Sequence, residues 1–470
     1  MKRNNNMKPY CLHRQEGPKR EVNRRCLLVL CIFIGIFPIL SMRADGITAM
    51  EATASEEVPE AIEIVAGETT DSLARYLEVA GRNNPGLNAS FMEYKASLER
   101  VNRSGAWPDP ELEIGFFLKP MEIVGGRQVA DFTLMQMFPW FGTKKAAQTE
   151  ATHMARMAYE KFREARDDLF LEMYAQWYRM GRLQQQLTNN KENKKILAQL
   201  EQLATQRVSV GSRGGSGGMS DVLRIQLEAA QIDNNIESLQ SEMIAEKAKF
   251  NALLNRPGDS EVVLPPSLEK VAFPFNASEI ARAIEEQNPA LGMLQEEERA
   301  HEAKEEMEKK MGLPMIGIGL QYMMVEKSPT PVLEHHNGMH MVMPMVSVSL
   351  PIFRGKYRSA QRESRILQQS AREKYHNTLN GLQAELYGLQ HQLEDAERKV
   401  ALYGKQREIA LTAYRLLVQE FVTGQSDVID VIEVQRQLLD YQLQEAEAIA
   451  DYNTRVASVQ KLHSFNNTNE

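Results

Sequence analysis

Residues 375–403 read YHNTLNGLQAELYGLQHQLEDAERKVALY, and the apolar positions Tyr375, Leu379, Leu382, Leu386, Leu389, Leu393, Ala396, Val400 and Tyr403 step by four and three along it. That rhythm is a heptad seam, the pattern of helices packed side by side in a coiled coil. It resumes at Ala410, Tyr414, Leu417 and Phe421, with Arg407 as its one polar interruption. The stretch lies in a window, 352–470, that contains no proline, and a second such window covers 140–256. Both are rich in Ala, Leu, Gln, Glu, Lys and Arg, and the lack of proline permits very long helices. Phe162, Ala165, Leu169, Trp177 and Met180 suggest a similar seam in the earlier window.

Each window breaks once. The breaks are GSRGGSGG, Gly211 to Gly218, and Thr423-Gly424-Gln425-Ser426, both turn sequences. The helices before them are expected over about 144–209 and 355–422, each roughly 100 Å long at 1.5 Å per residue. The return helices, near 219–254 and 427–462, reach only about half as far. Other segments must cover the remainder.

Those segments expose a duplication. Leu73-Ala74-Arg75 and Asn84-Pro85-Gly86-Leu87 are echoed by Ile280-Ala281-Arg282 and Asn288-Pro289-Ala290-Leu291. Pro85 and Pro289 stand 204 positions apart, as do Pro110 and Pro314. A short helix is expected before the second proline of each half, at about 88–106 and 292–311, so two copies of one plan follow each other.

Between the short and the long helix of each half the period changes to two. Leu112, Ile114, Phe116 and Leu118 alternate with Glu111, Glu113, Gly115 and Phe117, and Ala130, Phe132 and Leu134 with Val129, Asp131 and Thr133. In the second half Ile316, Ile318, Leu320 and Tyr322 alternate with Gly317, Gly319 and Gln321; Val342, Val346, Val348 and Leu350 alternate with Met341, Met343, Met345, Ser347 and Ser349. These are strands with one apolar face and one small, polar or Met face, as in a barrel with lipid outside and water inside. A half-buried soluble sheet has the same alternation. Four strands cannot close a barrel, and open edges are not tolerated in lipid. Three copies supply 12. Phe138-Pro139-Trp140-Phe141-Gly142 and Leu350-Pro351-Ile352-Phe353-Arg354-Gly355 end the hairpins with proline and with aromatics suited to a membrane interface.

Arg24-Arg25 precede the apolar run Cys26 to Leu40, with Ala44 beyond it. This reads as a secretory signal over 1–44. All three cysteines, Cys11, Cys26 and Cys31, fall within it, so the exported chain is expected to lack thiols and disulfides. The net charge is −8, which argues against a nucleic-acid partner. No nucleophile with a base and no phosphate-binding glycine loop is evident, so neither enzymatic activity nor a cofactor is expected.

The duplicated plan, the two Asn-Pro-x-Leu starts, the two Pro-containing strand exits and the tip sequence Gly424-x-Ser426-x-x-x-Asp430-Val431-Ile432-Glu433-x-Gln435 together resemble the TolC-type outer-membrane efflux proteins over about 70–462. The resemblance implies an α+β membrane protein. Four strands per chain contribute to a 12-stranded trimeric outer-membrane β-barrel, and the long coiled-coil helices form a periplasmic α-barrel. It implies a homotrimer in the outer membrane of a Gram-negative bacterium, docked through a periplasmic adaptor (membrane fusion) protein to an inner-membrane RND-type pump. The expected divisions are signal peptide 1–44, periplasmic segment 45–69, repeat 70–258, linker 259–274, repeat 275–462 and tail 463–470.

Three sets of residues are candidates. A permanently open tube leaks, so its far tip should narrow. Asp221 and Arg224 follow the first turn, Asp430 and Glu433 the second, and the resemblance puts Asp430 and Glu433 at the tunnel constriction. Threefold symmetry turns each acid into a ring of charge, and an Arg224 ion pair to a tip acid would hold the tip closed. Solvated capping acids are the plainer reading, preferred for Asp427. The resemblance also makes the turns, Val210-Gly211 and Thr423-Gly424, adaptor-docking sites, although the first turn is seven residues longer.

The third set is Met339, Met341, Met343 and Met345 with His335 and His336, soft-to-borderline ligands for copper, silver or, through histidine, zinc. The four methionines are expected on the inward face, the two histidines in an outer loop. Methionine as packing filler competes with this reading. The expected function is a solute-export duct, with heavy-metal cations the first substrate class and drugs or organic solutes the alternative. A periplasmic coiled-coil adaptor or scaffold is the reading from another class.

Overall fold

The computed structural model describes residues 72–209, 218–330 and 334–465. The expected signal segment 1–44 and the segment 45–69 lie outside the described residues.

Each half runs through the same succession. In the first, α1 (Ser72–Asn83) and α2 (Pro85–Ser104) lead to β1 (Glu111–Ile123) and β2 (Gly126–Phe138), then α3 (Thr143–Ser209) and α4 (Met219–Leu253). In the second, α5 (Ala277–Gln287) and α6 (Pro289–Met311) lead to β3 (Met315–Glu326) and β4 (Met341–Ser349), then α7 (Arg354–Thr423) and α8 (Val428–Leu462). The long helices have 67 and 70 residues, the returns 35 each.

The Asn-Pro pairs start α2 and α6 as capping chemistry requires. Proline occupies the first turn, where its missing N–H is no loss. Asn84 Oδ1 accepts the Leu87 N–H at 3.0 Å, and Asn288 Oδ1 accepts the Ala290 N–H at 3.0 Å. The short helices α1 and α5 were legible only as repeated fragments.

The sheet order is β1-β2-β3-β4, antiparallel throughout. The helices repeat that order. α3 packs on α2 and α4 on one side and on α6 and α8 on the other, while α7 packs on α6 and α8. Among the described residues both layers therefore end at the same two edges: β1 with α2 and α4, and β4 with α7. The two prolines inside strands, Pro120 and Pro344, sit in β1 and β4, where a missing N–H is least harmful.

The seams close as their spacing predicts. Leu386, Leu389, Leu393 and Ala396 of α7 are buried, as are Leu169, Trp177 and Met180 of α3. Arg407, the interruption in the heptads, pairs with Glu445 of α8 at 3.0 Å. Burial raises the Glu445 carboxyl pKa and Arg407 opposes that rise. The stretch joining the halves runs along α8: buried Asn453 accepts the Val271 N–H at 2.9 Å and donates to the Glu269 carbonyl at 2.8 Å. Two satisfied backbone groups hold it there without regular structure.

Candidate functional site

The chemistry-bearing residues fall at two places: the turns joining long and return helices, and one face of the sheet.

At the turns, Leu197, Leu200 and Ala204 of α3, Val222 and Ile225 of α4, Phe421 of α7, and Val428, Val431 and Ile432 of α8 form one buried cluster. α7 stops because Gly424 adopts a left-handed φ of 81°. Its N–H reaches the Phe421 carbonyl at 3.1 Å and the Gln425 N–H reaches the Glu420 carbonyl at 2.8 Å, the paired bonds that close a helix on glycine. Arg207, in the last turn of α3, donates to the Phe421 carbonyl at 2.9 Å and lays its guanidinium 4.5 Å over the Phe421 ring. A groove of about 300 Å³ opens between these helix ends, lined by Leu203, Gln206, Arg207, Phe421, Val422, Thr423 and Gly424. Thr423 and Gly424, expected to dock an adaptor, are thus groove residues. Val210 and Gly211 lie outside the described residues.

Of the four tip candidates, Asp221 is buried at 8% exposure, while Arg224, Asp430 and Glu433 are exposed. Burial raises the Asp221 pKa and Asp427 raises it further; Arg207 and Arg224 oppose both. The place of Asp221 in the first turn of α4 favours the ionised acid by about 0.3–1 kcal/mol, in the same sense as the two arginines. Among the described residues of the single chain no ion pair joins Arg224 to Asp430 or Glu433; Arg224 stands one turn after Asp221 and favours its charged form. The Ser426 hydroxyl donates to Asp430 at 3.4 Å. Asp427 stands at the N-cap of α8 but makes no capping bond.

Sequence reading missed the polar ties around these turns. Buried Asn193 accepts from Gln435 at 2.9 Å and donates to Gln442 at 3.2 Å, and Arg436 of α8 donates to the buried Glu228 of α4 at 2.8 Å. Polar residues inside a coiled coil fix its register. For Arg207, the available signal was a cation in the last turn of a predicted helix.

Register sorts the sheet into two faces. Ile114, Phe132 and Tyr322 stand side by side, as do Leu112, Leu134 and Leu320, and Ile316 faces Val348 and Ile318 faces Val346. This face is bare in the single chain, with Phe116 72% and Val346 74% exposed. On the other face Met341 lies opposite Met323 and beyond it Asp131; Met343 opposite Gln321, Thr133 and Glu113; Met345 opposite Gly319, Met135 and Glu111; and Ser347 opposite Gly317 and Met137. Three of the four expected methionines share this face. Met339 does not: β4 begins at Met341, because Gly338, at φ 81°, completes a turn in which the Met339 N–H reaches the His336 carbonyl at 3.2 Å. His335 and His336 lie in a short 3₁₀ segment of the same loop. Among the described residues no group of three or more His, Cys, Asp and Glu is placed to hold a metal ion. At the strand exits Trp107 packs edge-on to Phe138 and Lys144 sits over the Trp107 ring.

Residues 281–463 match the Outer membrane efflux protein family. Comparison with curated protein sequences finds no match. Among solved structures, the fold is similar to the outer membrane protein VceC of Vibrio cholerae, with a TM-score of 0.66 at 14% identity, covering 83% of this chain and 96% of that one. It is also similar to CusC, at TM-score 0.67 and 13% identity over 86% and 96%. A third is the open state of the MtrE outer membrane channel of Neisseria gonorrhoeae, at 0.62 and 13% over 82% and 89%.

Proposed function

We propose that this chain, which has the fold of the TolC-type outer-membrane efflux proteins and matches their family through its second half, is one third of an export duct that crosses the outer membrane and continues as a helical tube into the periplasm. The observation that carries this is the coincidence of edges. Sheet and helical layer end at the same two seams, and the sheet is apolar on one face and polar on the other. Leu402, Ile409 and Leu416 on α7 and Leu223, Leu227 and Ile244 on α4, the helices at those edges, are exposed, and in this reading they are buried against neighbouring copies. Three copies give an even 12-stranded barrel within the bacterial range.

In this reading Thr423, Gly424 and the outlying Val210 and Gly211 meet a periplasmic adaptor that joins the duct to an inner-membrane RND-type pump. Asp430 and Glu433 ring the tip, and Asp221 and Arg224 pack behind them. Heavy-metal cations are the first substrate class, supported by the methionines and carboxylates on the polar face; organic solutes are the second. Detergent extraction followed by mass determination and planar-bilayer recording tests the duct. A trimer with a discrete conductance is expected, and a monomer that washes off membranes without detergent would refute it. Copper, silver, zinc and dye susceptibility of a deletion strain separates the substrate classes.

A further inference from the structure

We propose that the polar face of the sheet contains a binding site for a soft monovalent cation, built by the thioethers of Met135 and Met137 with Met345 beside them and the Ser347 hydroxyl as a fourth donor. The site rests on the duct reading, which puts this face in the path of the solute.

Two glycines on β3 make the site possible. A Cβ on Gly317 would stand 2.6 Å from the Met137 sulfur and 3.2 Å from the Met135 sulfur. Both sulfurs therefore converge on one point above the strand, in space that any side chain at 317 would take. The Ser347 Oγ lies 3.7 Å from the Met135 sulfur and 3.6 Å from the Met137 sulfur. Gly319 repeats the device one row on, with Met135 folded over it at 3.0 Å and Met345 opposite it in register. Ordinary packing would cover apolar surface with these methionines. Here they lie over glycines, on the face that also carries Glu111, Glu113 and Asp131.

The chemistry selects a ligand class. Neutral thioethers are soft donors that favour Cu(I) and its chemical analogue Ag(I) over hard cations or zinc. The carboxylates of the same face add a field that concentrates cations of any kind. A charged row thus gathers cations, and the sulfurs discriminate among them. Met341, Met343 and Met323 extend the sulfur row toward the outer loop.

The test uses the full chain in detergent with silver nitrate in chloride-free buffer, bound metal being counted by mass spectrometry and affinity read by calorimetry. Met135→Leu, Met137→Leu and Met345→Leu are combined, since Met-to-Leu changes conserve volume. Silver binding is expected in the parent and at least tenfold weaker in the triple variant, with the heat-denaturation midpoint unchanged and X-ray absorption showing silver–sulfur contacts in the parent only. Equal silver affinity in a triple variant that keeps the parent's midpoint would overturn the site alone. A parent that forms no pore would overturn the duct reading on which the site rests.

Discussion

Asn288 donates from its side-chain amide to the carbonyl of Leu462 at 2.8 Å, so the residue that starts α6 also satisfies the last turn of α8. Asn84 does the same for Leu253 at 2.9 Å. One side chain thus caps a short helix and closes the orphan carbonyl of a return helix 174 residues away in the second half. Replacing Asn288 by Ala removes a cap, about 1 kcal/mol, and strands a buried carbonyl, about 1–3 kcal/mol. Thermal denaturation of the extracted protein should show a clear loss for Asn288→Ala and a further loss when Asn84→Ala is added. No change in the double variant would refute the bridging role.

The Arg407–Glu445 pair predicts an asymmetry. Removing Arg407 leaves a carboxyl whose pKa burial already raises, whereas replacing both residues by Leu extends the heptad seam. Arg407→Leu alone should cost up to about 1 kcal/mol, since the Arg407 side chain is partly exposed and the pair is screened by solvent. The double replacement should recover most of that, because it removes the half-buried carboxyl together with its partner and extends the apolar seam. Denaturant unfolding of the three variants measures the coupling.

Asp221 predicts a pH response at the tip. Its pKa is higher in the folded protein than the ordinary 3.8, so folding favours its protonated form. The cost of ionising it in place is absent below the ordinary value and fully present above the raised one, so the tip tightens as pH falls through that window. Spin labels at Met219 and Thr423 should report a narrower distance distribution at pH 4 than at pH 7, and Asp221→Asn should already be narrow at pH 7. Identical distributions at both pH values would refute the effect.

The two sheet faces predict opposite tolerances. Val346→Lys puts a charge on the apolar face and should cost about 2–4 kcal/mol near the bilayer midplane. Gln321→Lys, on the polar face, should assemble normally. The amount of folded protein recovered from outer membranes reads both, and equal recovery would refute the face assignment.

If Asp430 and Glu433 ring the tip as proposed, Asp430→Asn combined with Glu433→Gln should move the bilayer reversal potential in a salt gradient toward zero, by removing both rings of negative charge. An unchanged reversal potential would place selectivity elsewhere along the tube.

The long helices and the strands were legible because their periods persist for many residues: Leu386, Leu389 and Leu393 are buried at the spacing that announced them. The capping asparagines were visible as a repeated pair, although their second bonds, to Leu253 and Leu462, depend on tertiary placement. Met135 and Met137 went unread because nothing within β2 distinguishes them. Their significance arises from lying opposite glycines of β3, and register between distant strands is not written in either strand. Met339 was misplaced for the converse reason, since alternation was carried two residues past the point where Gly338 turns the chain. Arg207 and Asn193 act across helices far apart in sequence, and periodicity says nothing about such partners.

In the proposed duct, the shared neighbour order of strands and helices has a consequence for how the assembly is made and lost. A copy whose sheet edge has met its neighbour already has its helical edge beside the same neighbour. Insertion in the lipid and zippering below it are then one cooperative event. Dissociation has to open both layers together, so single copies should not exchange between finished assemblies. A chain damaged at one seam would be trapped with intact copies and would poison them, and mixed expression of edge variants should therefore be dominant over the normal chain.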